Sequence, residues 1–168
     1  MFINTDQALE MAREEIKQLI SEGDSMFAPW SDASLGEPVL VRDVFKNPSY
    51  WVVPVWIQER VAGFVRVLGT GRVADIGAFY KYPKQIETCP TSVTIIDAGE
   101  ASRRAEERIH PEQGEVASEP VFVHDGPISR VAWLIEVLLD NKPSRWIFVT
   151  PAFVYERPAG ERLDETLE

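Results

Sequence analysis

Apolar residues at Ala8, Met11, Ala12, Ile16, Leu19 and Ile20 recur at steps of three and four, which puts them on one face of a helix over residues 5–20. Asn4 stands at the N-cap position, Gln7 is placed to complete a capping box, and Ile3 can act as a hydrophobic staple. Residues 21–36 lose this period: Gly23, Pro29 and Gly36 among Ser and Asp predict a loop, held on the protein body by Met26, Phe27 and Trp30. Runs rich in Val, Ile, Tyr and Trp then predict strands over 38–45, 50–58 and 62–68, and a further one at Arg72–Ile76 after the Gly69-Thr70-Gly71 turn. A second helix is predicted by Ile96, an Asp97 cap, Glu100 at the box position and the inner face Ala101, Ala105 and Ile109, with His110-Pro111 as its stop. Strands near 120–124, 130–139, 145–150 and 152–156 follow. Short turns between neighbouring strands imply antiparallel meanders.

The chain therefore reads as a unit written twice. Glu37-Pro38-Val39-Leu40-Val41-Arg42-Asp43 returns as Glu119-Pro120-Val121-Phe122-Val123-His124-Asp125, an offset of 119 minus 37, or 82. At the same offset Trp51 falls on Trp133, Val55 on Val137 and Phe64 on Trp146. The helices align at offset 93, Asn4 on Asp97, so the first copy carries 93 minus 82, or 11, extra residues between helix and strands. The expected fold is α+β: two tandem copies of a helix packed on an antiparallel meander of three to four strands. The expected boundaries are 1–80 for the first copy with its inserted loop 21–36, 81–93 for a linker, 94–157 for the second copy and 158–168 for a frayed tail.

Trp51, Val53, Val55 and Ile57 share one face of the second strand, and Trp133, Ile135, Val137 and Leu139 match them; this face should meet the helix. The opposite face carries Val52, Pro54 and Trp56 in one copy and Leu134, Glu136 and Leu138 in the other, too apolar for open water. The other copy, the inserted loop or another subunit should cover it. Pro54 gives no backbone donor and is expected at a sheet edge or a bulge. Trp56, Leu138, Pro54 and Leu134 are therefore the candidate interface, for a protein partner or a homodimer.

Charge narrows the partners. Seventeen basic against 27 acidic residues leave a net charge of −10, which repels nucleic acid and anionic membranes. A lone cysteine, Cys89, forms no internal disulfide. The start at Met1, with Asp6 and Glu10 where a signal peptide needs a basic end and an apolar run, predicts a cytoplasmic protein.

Candidate chemistry is sparse. His124-Asp125-Gly126 has the look of a metal-binding pair, but Arg42-Asp43 occupies the matching positions, so a polar pair at a strand end is the better reading. Cys89-Pro90 lies in the linker, and His110 marks a helix stop. Gly69-Thr70-Gly71-Arg72 lacks the lysine and the following helix of a phosphate loop. Glu14-Glu15 and Glu106-Glu107, amid arginines, fit solvated helix faces. No metal and no cofactor are expected. An enzyme with its site between the copies would use carboxylates such as Asp75 or Glu136.

Ala8 and Ala12, then Tyr50, Val53 and Val55, then Gly63, Val65 and Val67, then Thr70, Gly71 and Val73 form a pattern that resembles the PepSY family, small domains found in peptidase propeptides and in many bacterial proteins. The resemblance covers most of residues 4–76. The second copy keeps the helix and strands without Thr-Gly-x-Val. The resemblance implies a helix on an antiparallel sheet with a binding or inhibitory role. The expected function is a non-enzymatic, protein-binding or inhibitory module. The alternatives are an immunity protein directed at a toxin or peptidase and, behind it, the enzyme.

Overall fold

The computed structural model describes residues 1–161. In chain order its elements are helix α1 (Thr5–Ser21), strands β1 (Ser34–Leu35), β2 (Val39–Arg42), β3 (Pro48–Ile57), β4 (Arg60–Leu68) and β5 (Arg72–Ala78), helix α2 (Ala98–Glu106), and strands β6 (Glu115–Ala117), β7 (Val121–His124), β8 (Val131–Leu139), β9 (Lys142–Val149) and β10 (Val154–Pro158). The fold is α+β. Its strand pairing is mixed and mostly antiparallel: among the described residues one pair, β2 with β7 at Arg42 and Val123, is parallel. No helix among the described residues is long and apolar enough to cross a membrane.

Two compact units emerge, and they are not consecutive blocks of sequence. The first comprises Met1–Leu40 and Ser49–Ile95; the second comprises Val41–Pro48 and Ile96–Glu168, described as far as residue 161. The stretch Val41–Pro48, expected to stay with the first copy, goes with the second unit. Its Val44 enters the core that contains Val123, Ala132, Leu134, Trp146 and Phe148. Nothing local in residues 41–48 encodes this, because the partners of Val44 lie between 123 minus 44, or 79, and 148 minus 44, or 104, positions downstream.

In the first unit the capping box forms as expected: Gln7 N–H donates to Asn4 Oδ1 and Asn4 N–H to Gln7 Oε1, each at 2.9 Å. Ala8, Ala12 and Ile16 face the sheet, and the small alanines let α1 sit close over Val53, Val55, Val65 and Val67. The inserted loop is more ordered than expected. Residues Ser25–Asp32 wind into a 3-10 helix capped by Asp24, and β1 pairs Ser34 with Trp56 and Leu35 with Val55. Trp30 from this segment is fully buried; Gly63 leaves room for its ring, since a Cβ there would stand 2.5 Å from Trp30 Cζ2. The expected linker is no free connector. Val61 N–H donates to Pro90 O at 2.8 Å, Arg60 Nη1 to Cys89 O at 3.1 Å, and Cys89 is buried.

In the second unit Asp97 caps α2 through Glu100 N–H at 2.8 Å, and Ala101 and Ala105 pack on Ile135, Val137, Ile147 and Val149. This helix ends at Glu106, four residues before His110-Pro111, as Arg108 and Ile109 close tighter turns onto Ala105 and Glu106. With nine residues against the seventeen of α1, it does not reach Leu139, which is exposed despite its predicted inward parity. Residues 162–168 of the expected tail lie outside the described residues; before them Ala159 N–H donates to Ser144 O at 3.2 Å.

Registers recur at offset 82. Trp51 pairs with Val67 and Trp133 with Val149; Val53 pairs with Val65 and Ile135 with Ile147. Both hairpins carry a bulge at the same place, between Val55 and Trp56 and between Val137 and Leu138. The Trp51 indole donates to Ile3 O at 2.9 Å and the Trp133 indole to Ile96 O at 3.0 Å, the residue just before each helix cap.

Candidate functional site

The four predicted interface residues do not form one open surface. Pro54 and Trp56 belong to the first unit, Leu134 and Leu138 to the second. Pro54 is buried beside the bulge, not at an outer edge: β3 is covered by β4 on one side, and Pro54 O accepts from Gly36 N–H at 3.0 Å. Trp56 is half-buried, with Gly36 seated so closely that a Cβ there would stand 2.9 Å from Pro54 Cγ and collide with the indole. Leu134 is 1% exposed. The apolar face around it is covered by the β2–β3 turn, where Val44 fills the core, Phe45 meets Trp146 edge-on at 5.7 Å and Lys46 lies 3.5 Å from Glu136. Leu138 is half-buried opposite the exposed Val116.

The titratable groups flagged from the sequence are tied into structure. Asp125 is fully buried; Arg157 grips its two oxygens, by Nη1 at 2.7 Å and by Nη2, and Tyr155 donates its hydroxyl at 2.6 Å. Burial works to raise the Asp125 pKa, and the Arg157 and Tyr155 hydrogen bonds overcome it and hold the carboxyl below its usual range. Burial and the Asp125 charge push the Tyr155 phenol up to about 12. His124 is 8% exposed and its Nδ1 lies 2.9 Å from Gly126 O. Asp75 pairs with Arg66 at 2.5 Å, and Glu136 accepts from the Trp146 indole at 2.9 Å. Burial raises the Cys89 thiol above its usual range, the reverse of an activated nucleophile. No group of three His, Cys, Asp or Glu side chains suited to a metal ion occurs among the described residues.

The chemistry that remains lies in the backbone. Among the described residues β5 pairs with β4 alone and β10 with β9 alone, so each has an outer edge. In an antiparallel pair, alternate residues exchange both backbone bonds with their partner and those between point away. Phe79 N–H donates to Ala62 O at 2.8 Å, so Gly77 and Asp75 bond inward to Phe64 and Arg66, whereas Ile76 and Ala78 aim N–H and C=O outward. Those outward groups have no partner among the described residues. On β10, Thr150 N–H donates to Phe153 O at 2.9 Å, so Val154, Glu156 and Pro158 point outward. Here the edge is blocked: Arg108 Nη2 donates to Val154 O at 3.0 Å, Pro158 has no N–H, and Arg104 takes Thr150 O and Pro151 O at 3.2 and 3.1 Å. Only Glu156 lies between the blocked positions.

A groove of about 760 Å³ opens at the start of β5, between Gly71–Val73 and the flank of α1 formed by Met11, Glu14, Glu15 and Gln18. Sequence reading placed a strand at Arg72–Ile76 without identifying it as an edge, because neighbour order is not written locally. The contrast between Pro158 on β10 and a proline-free β5 was the available signal. No family model matches the chain, and neither does any curated protein or solved structure.

Proposed function

We propose that the protein is a binding module that captures an extended segment of another protein as an added strand on β5. The observation that carries this reading is the pair of outward, unpartnered backbone positions at Ile76 and Ala78, beside a groove, on a strand without proline. Strand addition draws affinity from main-chain hydrogen bonds and specificity from side chains along the edge. The blocked β10 supports it by contrast, since an edge with no use is ordinarily protected. The matched registers and paired tryptophans favour descent of both units from one helix-then-strands module, and the PepSY-like pattern over residues 4–76 fits a binding role. On this reading the partner surface moves from Trp56 and Leu138 to β5.

Selection from a displayed library of random peptides tests the proposal. Enriched peptides should bind the wild-type chain and lose at least about tenfold in affinity to Ala78→Pro, which deletes an outward donor without touching an inward bond. Equal binding to both would refute the edge. A concentration-dependent dimer that Ala78→Pro dissolves would assign the edge to a second copy of this chain.

A further inference from the structure

The groove that continues the β5 edge differs in character from the edge itself. Its α1 wall carries Glu10, Glu14 and Glu15, against Lys17 and the Arg72 side chain at the strand start. Two of these carboxylates already have partners, but loosely: Arg13–Glu10 at 2.9 Å and Lys17–Glu14 at 3.3 Å are pairs within one helix, with every side chain more than half exposed. Such pairs are weak and exchange readily with an incoming cation. Glu15 makes no ion pair among the described residues. The chain's net charge of −10 adds a long-range field of the same sign.

Resting on the strand-capture reading, we propose that the segment bound at β5 is basic, with lysine or arginine in the part that overruns Arg72 into the α1 groove. From Ala78 to Arg72 the strand advances six residues, roughly 20 Å. A segment running antiparallel to β5 pairs first opposite Ala78, passes Arg72 at its downstream end and there meets the carboxylates. The basic residues therefore follow the paired stretch. The backbone supplies general affinity, and the groove selects the partner. An acidic segment would meet three carboxylates in the same place, and a second copy of this chain would bring its own −10.

Three labelled peptides test this by fluorescence anisotropy: a six-residue Val/Thr core, the same core followed by three lysines, and the core followed by three glutamates. The lysine peptide should bind at least about tenfold tighter than the glutamate peptide at low salt, with the advantage shrinking as the Debye length falls below about 8 Å. Glu14→Lys with Glu15→Lys should abolish that preference while the bare core binds as before. Equal binding of all three peptides would overturn the basic preference and leave strand capture standing. Lysine-peptide binding that survives Ala78→Pro would place the basic segment elsewhere on the acidic surface and overturn the proposal. No binding of any peptide, with amide exchange at Ile76 and Ala78 unchanged by them, would overturn strand capture and this inference together.

Discussion

β5 and β10 begin 82 positions apart, at Arg72 and Val154, and each is an outer strand of its own unit among the described residues, yet the two edges differ in what covers them. β10 is pinned. Arg104 from α2 and Arg108 just past its end reach over to carbonyls before and at the start of β10, Pro158 removes its last donor, and Arg157 anchors it inward on Asp125. β5 has one comparable anchor, the Arg66–Asp75 pair, and that pair restrains a side chain rather than the outward backbone. The difference teaches that an edge is closed by side chains brought from other elements. At the helix offset of 93, Arg108 falls on Glu15 and Arg104 on Met11, so the first unit has no arginine at either position.

The largest effect should come from removing the anchor of the closed edge. Asp125→Ala leaves the largely buried Arg157 guanidinium without its carboxylate and should cost about 3–5 kcal/mol in chemical denaturation. Asp43 stands 82 positions earlier but caps its own turn, accepting from Phe45 N–H at 2.9 Å and Asn47 N–H at 3.0 Å, so Asp43→Ala should cost only about 1 kcal/mol. Equal losses would contradict the comparison.

The same pair sets an acid dependence. The folded Asp125 pKa lies below its unfolded value of about 3.9, so its stabilisation is present above that pH and lost as pH falls through the folded value. Stability measured from pH 5 downward should therefore fall less steeply in Asp125→Asn than in the wild type, and parallel curves would show that Arg157 does not hold the carboxylate.

Of similar size, Trp51→Ala and Trp133→Ala should each cost about 3 kcal/mol and agree within about 1 kcal/mol, because both indoles are half-buried and bonded to the residue before a helix cap. A wide gap would mean that the matched registers conceal different packing.

The smallest effect concerns the lock alone. Arg108→Met frees the Val154 carbonyl and one arm of Glu156, and should cost about 1 kcal/mol. Peptides that bind β5 should then gain a second, weaker site at β10, read as a change from one site to two in calorimetry. A single site would show that Pro158 alone suffices to close that edge.

Much of this organisation was legible in the chain. Helical periodicity, the Asn4 and Asp97 caps and the alternation around Trp51 and Trp133 are local signals, and the elements they specify form. Short strands were not legible: β1 and β6, of two and three residues, carry no period of their own and exist because β3 and β8 offer them a partner. Nor was the transfer of Val41–Pro48 to the second unit, which rests on Val44 and Phe45 meeting side chains far along the chain. That the face of Pro54 and Leu134 is covered is legible in its apolar chemistry, but which segment covers it is not, because that depends on what arrives from elsewhere in the chain. The β5 edge follows the same rule in reverse, since its openness is set by which side chains fail to reach it.

Residue-resolved amide hydrogen exchange on the free protein, at two concentrations, tests the open edge most directly. The account predicts fast exchange at Ile76 and Ala78 and slow exchange at Asp75 and Gly77 between and beside them, independent of concentration, with Ile76 and Ala78 slowing when a selected peptide binds. Protection of Ile76 and Ala78 equal to that of Asp75 and Gly77 in the free, dilute protein would contradict it.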